Sequence, residues 1–492
     1  VKIDTTFKSV AVSRRSVLTL SAVAIASAGL GPLWGGTAES AHAAEASGPR
    51  MLHTAADLNR MRTQVAAGAQ PWTAGWERLV NNRHSSASWT PRPVGTVVRG
   101  GDGQNYAPFY NDIHAAYQNA LRWHVSGDDT FAATASNILN AWSRTLTAVN
   151  GNADRFLAVG IYGYQFAVAA DLLRGYAGFD VAAAQNMLLR VFYPMNNHFL
   201  TVHNGARISN YWANWDLCNM NAVLAIGILC DRQDLIDQAV TYFKSGGGNG
   251  SIGNAVPFLH PDGLAQWQES GRDQGHTMMG MGQMSTFCEM AWNQGIDLYG
   301  YDDSRFLMAA EYVAKYNLGH DVPFTPYTWQ SGPSTTASHV GWQTQTVISE
   351  AGRGHVRPVW ELIYNHYVIR RGLSAPHVAE IAAQVRPEGG GGDYGPNSGG
   401  FDQLGFGTLA FSLPAGAPMP TPEPAPAPAP EAAAAPEPTT APPSVPAPAA
   451  TARPTPTAAP APAAASTGRK KPLRLGRSDW MSRMLSWGRT RG

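Results

Sequence analysis

Residues 268–295 read QESGRDQGHTMMGMGQMSTFCEMAWNQG. From Met278 through Met279, Met281, Met284 and Cys288 to Trp292 the stretch is apolar on every side, which marks a helix of the interior rather than of the surface. Read as one helix over 268–295, it places Glu269, Arg272 and His276 at i, i+3 and i+7 on a single face. A carboxylate, a guanidinium and an imidazole sharing a buried face are costly without a purpose. The bland alternative is an exposed polar face carrying an i,i+3 ion pair.

Helical spacing continues on both sides of this stretch, over 112–125, 129–147, 158–175, 181–198, 210–230, 235–244, 304–316 and 359–371. Gly, Asn and Asp clusters punctuate the runs, and no βαβ rhythm or fixed repeat period intervenes. Many helices joined by short turns predict an all-α chain, an incomplete α/α toroid built from helical hairpins. A short apolar segment near 406–413 is expected to add a small sheet.

The ends differ from the body. Arg14-Arg15 precede an apolar, small-residue run to about Leu33, and Ala41-His42-Ala43 follow. This is the pattern of a twin-arginine export signal over 1–43, removed on secretion. The body expected to fold spans 44–413. About half of the 35 prolines crowd into 414–465, interleaved with alanine as a linker, and 466–492 form a basic tail. That tail carries about +7 and could associate weakly with an anionic cell surface, whereas the body carries about −6.

Charged residues make up 14% of the 492, and the net charge is +1. Such a balance excludes a nucleic-acid binder working through bulk basic charge, and the 44% hydrophobic content excludes a wholly disordered chain. Three cysteines exclude a disulfide scaffold. Cys218 and Cys230 fall about 18 Å apart along one helix, beyond the reach of a disulfide, and read as free thiols. There is no HExxH and no Cys/His cluster, so no metal or other cofactor is indicated. A monomer is expected.

Two further stretches carry polar chemistry. SNYWANWDLCN at 209–219 opens a helix and sets Asn214, Asp216 and Asn219 among Tyr211, Trp212 and Trp215. Aromatic faces beside amides suit a sugar, whose rings stack and whose rims hydrogen-bond. EAGRGHVRPVWE at 350–361, with Tyr364, Asn365, His366 and Tyr367 beyond it, offers Arg353 and Arg357 to a carboxylate-rich ligand.

The segments YWANWDLCN, QESGRDQGHT, AWNQGIDLYG, AEYVAKYNLG and RPVWELIYNHY together resemble the alginate lyase superfamily. They are most similar to polysaccharide lyase family 38, which includes glucuronan and alginate lyases. The resemblance implies an α/α toroid that cleaves an anionic polyuronate by β-elimination. Related family 5 alginate lyases carry Asn-Asn-His before the Tyr-Trp-Ala matched by Tyr211-Trp212-Ala213. This chain has Ile208-Ser209-Asn210 there, and Met279 where their catalytic tyrosine stands. Arg272 matches their motif arginine by spacing, and His276 lies one turn before Met279.

β-Elimination requires a cation for the uronate carboxylate, a base for the C5 proton and an acid for the leaving 4-oxygen. The expected assignments are Asn214 and Arg272 for the carboxylate, His276 for the base, and Tyr211 or Tyr367 for the acid. Trp215, Trp267, Glu269, Gln274, Arg357, His366 and Tyr367 are the expected substrate-binding residues. Two other readings are a toroid glycoside hydrolase with a carboxylate pair from Asp216, Glu269, Asp273, Glu350 and Glu361, and a secreted carbohydrate-binding protein without turnover.

The composition change at 414 generates the first prediction. Truncation after Leu413 should leave the cooperative melting transition and the activity of the body intact, as differential scanning calorimetry and turnover on one preparation would check.

Overall fold

The computed structural model describes residues 48–333, 340–395 and 398–414. The export segment, the basic tail and, after Pro414, the linker lie outside the described residues.

Two short helices, α1 (Ala55–Ala66) and α2 (Trp72–Val80), lead into a series of hairpins. α3 (Ala107–Ser126) pairs with α4 (Asp129–Thr145). A π-helical turn at Ala158–Tyr162 leads into α5 (Gly163–Leu172), and α6 (Val181–Met187) and α7 (Tyr193–Val202) return the chain. α8 (Ala213–Leu229) pairs with α9 (Gln233–Ser245), and α10 (Gln274–Trp292) precedes and packs on α11 (Tyr301–Asn317). α12 (Trp360–Tyr364), α13 (Pro376–Val385) and α14 (Gly407–Phe411) follow.

Packing order defines the architecture. α3 lies against α5, α5 against α8, α8 against α10 and α10 against α12, while α4, α9 and α11 lie outside them. α14 then joins α12 to α1 and α2, and α1 returns to α3. The body is an incomplete α/α toroid, as the sequence predicts. Composition follows position. In α8 every residue but Trp215 is buried, and in α10 every residue but Gly275 and His276. α4 instead buries one stripe, Phe131, Ala135, Ile138, Leu139 and Trp142, as an outer helix must.

Among the described residues, three small two-stranded sheets decorate the helices. β1 (Thr96–Val98) pairs in parallel with β2 (Ala148–Asn150), and β3 (Phe258–Leu259) pairs antiparallel with β4 (Ala265–Gln266). β5 (Tyr327–Ser331) and β6 (Gly341–Gln345) form an antiparallel hairpin that the helical reading of the chain does not anticipate.

Two expectations need correction. Residues 268–295 are not one helix, because Asp273 is extended (φ −170°, ψ 159°) and caps α10, leaving Gln268–Arg272 in turns. The apolar run near 406–413 is a helix, α14, not a sheet. Gly75 of α2 lets its backbone come close, since a Cβ there would lie 2.7 Å from the Leu409 nitrogen. The cysteines agree with expectation: Cys218 and Cys288 are buried, Cys230 is half-buried, and all three are free.

A second close approach supports the site. A Cβ on Gly280 of α10 would fall 2.5 Å from the indole of Trp267, which is fully buried just ahead of the Gln268–Asp273 turns. Gly280→Val should therefore destabilise the fold by about 1–3 kcal/mol, read as a lower urea midpoint at unchanged slope.

Candidate active site

Asp273 builds the start of the site with its two oxygens. Oδ1 accepts the His276 backbone N–H at 2.8 Å and closes the N-terminus of α10. Oδ2 lies 2.7 Å from His276 Nδ1. A carboxylate can only accept, so Nδ1 carries the proton and Nε2 carries the lone pair. Arg272 Nη2 lies 3.0 Å from that Nε2 and donates to it. The imidazole is therefore neutral, held at both nitrogens, with its basic atom beside a guanidinium.

Arg272 is itself fixed from three sides. Its Nη1 donates to Glu269 Oε1 at 2.6 Å and to Asn214 Oδ1 at 3.3 Å, and its guanidinium carbon sits 5.2 Å from the centre of the Trp212 ring. Glu269 is fully buried, and its Oε2 accepts the Asn214 backbone N–H at 3.1 Å. The starts of α8 and α10 are thus tied together through one ion pair.

The two acids respond differently to this setting. Burial pushes the Asp273 carboxyl up, but the bonds from the His276 ring and backbone, with the Arg272 charge, outweigh it and hold the group at about 2. Burial of Glu269 is complete and wins over the Arg272 charge, leaving its carboxyl above the ordinary range. Asp402, also buried, is raised by desolvation against the opposing charges of Arg99 and Arg357. Arg99 donates to Tyr162 Oη at 3.3 Å and lies 5.3 Å from the Tyr106 ring centre.

Residues 87–322 match the family model for alginate lyases. By that match the chain is a polysaccharide lyase. Among solved structures, an alginate lyase from Bacteroides ovatus is 15% identical, covering 55% of this chain and 83% of that chain at a TM-score of 0.43. Alginate lyase A1-III from Sphingomonas species A1 is 17% identical over 56% of this chain and 80% of that chain, with a TM-score of 0.43. A variant of alginate lyase A1-III in its apo form is 16% identical over 74% and 96%, with a TM-score of 0.49. No curated protein matches the sequence.

The lyase brings four of its expected residues together: Asn214, Glu269, Arg272 and His276. Others are elsewhere. Trp267 is packed under Gly280 and presents no face to a sugar. Gln274 is buried, donating to the carbonyls of Ser270 and Ser349 while accepting from Asn317. His366 and Tyr367 lie in the core, where His366 stacks on Tyr299 at 3.5 Å and meets Trp292, and Tyr367 Oη donates to the Tyr299 carbonyl at 2.9 Å. Sixteen helical steps separate Trp292 from His276, about 24 Å. Neither can act on a substrate held at His276.

Tyr211 is buried against Phe199 and Trp215, with its hydroxyl accepting from Asn204 Nδ2 at 3.2 Å. Trp215 is half-buried in the same cluster. Arg357 donates to the Gly399 carbonyl and faces Asp402. Of the carboxylates of the hydrolase reading, Glu269 and Asp273 come together, both held by Arg272, and the other three stand apart. Asp216 is buried between His203 Nε2 (2.9 Å) and Tyr242 Oη (2.6 Å), Glu361 is clasped by Arg386, and Glu350 is exposed beside Arg353. Arg99, Asp402 and the role of Asp273 as cap and histidine partner escape the sequence reading, because each arises from long-range packing or from a turn read as helix.

Asp273 also generates a pH prediction. Its folded value near 2 lies below the ordinary 3.8, so its stabilisation is complete above about pH 4 and disappears as pH falls through 2. Asp273→Asn should cost about 1–2 kcal/mol at pH 7 after allowance for solvent screening. Denaturant titrations of both proteins should converge as the pH approaches 2.

Proposed function

We propose that the lyase cleaves a polyuronate, glucuronan or alginate, by β-elimination, as a secreted enzyme exported through its twin-arginine segment. What carries the reading is the Asp273–His276–Arg272 chain, in which an unprotonated Nε2 lies against the guanidinium, so that a substrate carboxylate drawing Arg272 to itself frees the Nε2 lone pair. On α10 His276 is the polar side chain that reaches solvent, with 39% of its side chain exposed.

Arg272 meets the uronate carboxylate, and the amide hydrogens of Asn214 reinforce it, since the Asn214 oxygen already faces Arg272. Neutralising that carboxylate makes the C5 hydrogen acidic enough to remove. His276 Nε2 takes the C5 proton, the C4–O4 bond breaks, and a C4–C5 double bond forms. Asp273 stabilises the resulting imidazolium through Nδ1–H. In glucuronate and mannuronate the C5 hydrogen and O4 lie on one side of the ring. His276 can therefore return the proton to O4, which leaves as the hydroxyl of the neighbouring sugar. Tyr211 then serves as a wall of the site rather than as its acid. The likeness to family 38 favours glucuronan among the substrates, and we place the enzyme in solution as a monomer whose basic tail touches anionic cell surfaces.

Incubation with glucuronan, alginate and hyaluronan should yield an ultraviolet-absorbing unsaturated uronate from at least one polymer. Saturated products alone would overturn the elimination. His276→Ala should lower kcat by about 10²–10⁴-fold with little change in KM. Arg272→Ala should damage both, because the carboxylate is present before and during reaction. Tyr211→Phe should keep kcat within about tenfold of the parent; a loss like that of His276→Ala would make Tyr211 the acid.

A further inference from the structure

The β5–β6 hairpin leaves the helical body beside the site, and its construction is unlike that of a surface loop. Two strands alone are marginal in water, yet this pair is bolted to both segments that deliver the reacting groups. Ser209 Oγ donates to the Gln330 carbonyl at 2.7 Å, and Asn210 Oδ1 accepts the Gly332 N–H at 2.6 Å. On the other side Gln268 Nε2 donates to Tyr327 Oη at 3.0 Å, and the Gln266 side chain exchanges two hydrogen bonds with the backbone of Thr325. The hairpin is thus held in register with Trp212 and with Arg272.

The pleat sorts its side chains. Tyr327 and Trp329 share one face with their cross-strand partners Gln345 and Gln343. Trp342, opposite Gln330, falls on the other face and is 70% exposed. On the first face the Trp329 ring centre lies 4.7 Å from Trp212 and 5.6 Å from Tyr327, nearly parallel to the latter. Trp212 in turn lies under the Arg272 guanidinium. An aromatic row therefore runs outward from the reacting centre, and its three rings are only partly buried. Amides accompany it. Gln345 packs against Gly271, one residue from Arg272, and its buried Oε1 has no hydrogen-bond partner among the described residues.

We infer that this face of the hairpin is a sugar-binding subsite: Trp329, with Trp212 and Tyr327, stacks a uronate unit next to the one being cleaved, and Gln343 and Gln345 bind its hydroxyls. Partly exposed aromatic faces beside side-chain amides match the amphipathic surface of a pyranose, apolar across the ring and polar at the rim. Their continuity with Trp212 and Arg272 makes the occupant the same polymer chain. The inference rests on the polyuronate reading for the charge of that chain, not for the stacking.

Kinetics on oligouronates of increasing length test it, using whichever polymer gives the ultraviolet product. Trp329→Ala should raise KM roughly 3- to 10-fold for the longer oligomers and the polymer, the worth of one aromatic stacking contact. The shortest cleavable oligomer and kcat at saturation should be unaffected. Trp329→Phe should restore most of the loss, and Trp342→Ala, on the opposite face, should behave as the parent. Equal effects at all lengths, or none, would overturn the subsite. Retardation of the full-length protein in gels containing the polymer reads binding without turnover. Retardation lost in Trp329→Ala but kept in Trp342→Ala would support the subsite even if no polymer were cleaved, an outcome that would sink the lyase reading alone. Normal cleavage with retardation indifferent to Trp329 would sink the subsite alone.

Discussion

The carboxylate of Asp273 holds two structures with two oxygens. One oxygen ends the turns that follow Trp267 and starts α10, and the other fixes the tautomer of His276. The orientation of the imidazole is therefore inseparable from the position of the helix start. If α10 began one residue earlier or later, the imidazole would rotate by about 100° around the helix and leave Arg272. Glu269 makes a parallel link for α8, by accepting the Asn214 N–H while pairing with Arg272. The site is rigid because its acids are structural before they are chemical.

That double use explains the division of labour within the toroid. The inner helices α8 and α10 are apolar on nearly every side, so they have few surfaces on which to display polar chemistry. Their first turns are the places where side chains can emerge, and Asn214, Arg272 and His276 gather there. Beneath them the His203–Asp216–Tyr242 cluster anchors the segment that carries Tyr211 and Trp212. Asp216 thus contributes by holding backbone in place and not as a free carboxylate.

The helical periodicity of the chain was legible because buried helices leave a strong apolar pattern, and the toroid followed from the number of such runs. Glu269, Arg272 and His276 were legible as a group because sequence proximity keeps them close in either a helix or a turn. The residues that misled are instructive. Gln274, His366 and Tyr367 look functional by type, yet Gln274 and Tyr367 spend their hydrogen bonds inside the core and His366 is stacked there against Tyr299, and burial by distant segments leaves no local mark. Arg99 and Asp402 are separated by some three hundred residues and meet only in three dimensions. The aromatic hairpin was hidden because TWQS and GWQTQ are short, polar and unremarkable until paired.

The way α8 and α10 begin also sets the charge at the centre of a body with a surplus of acids. Each helix presents the positive end of its dipole, worth about half a charge, at its first turn. Glu269 sits on one such end and Asp273 on the other. The two helix ends together offset about one of the two carboxylates, and Arg272 offsets the second. With His276 neutral, the centre carries close to no net charge. Counting side chains alone would give it an excess negative charge that turns anions away.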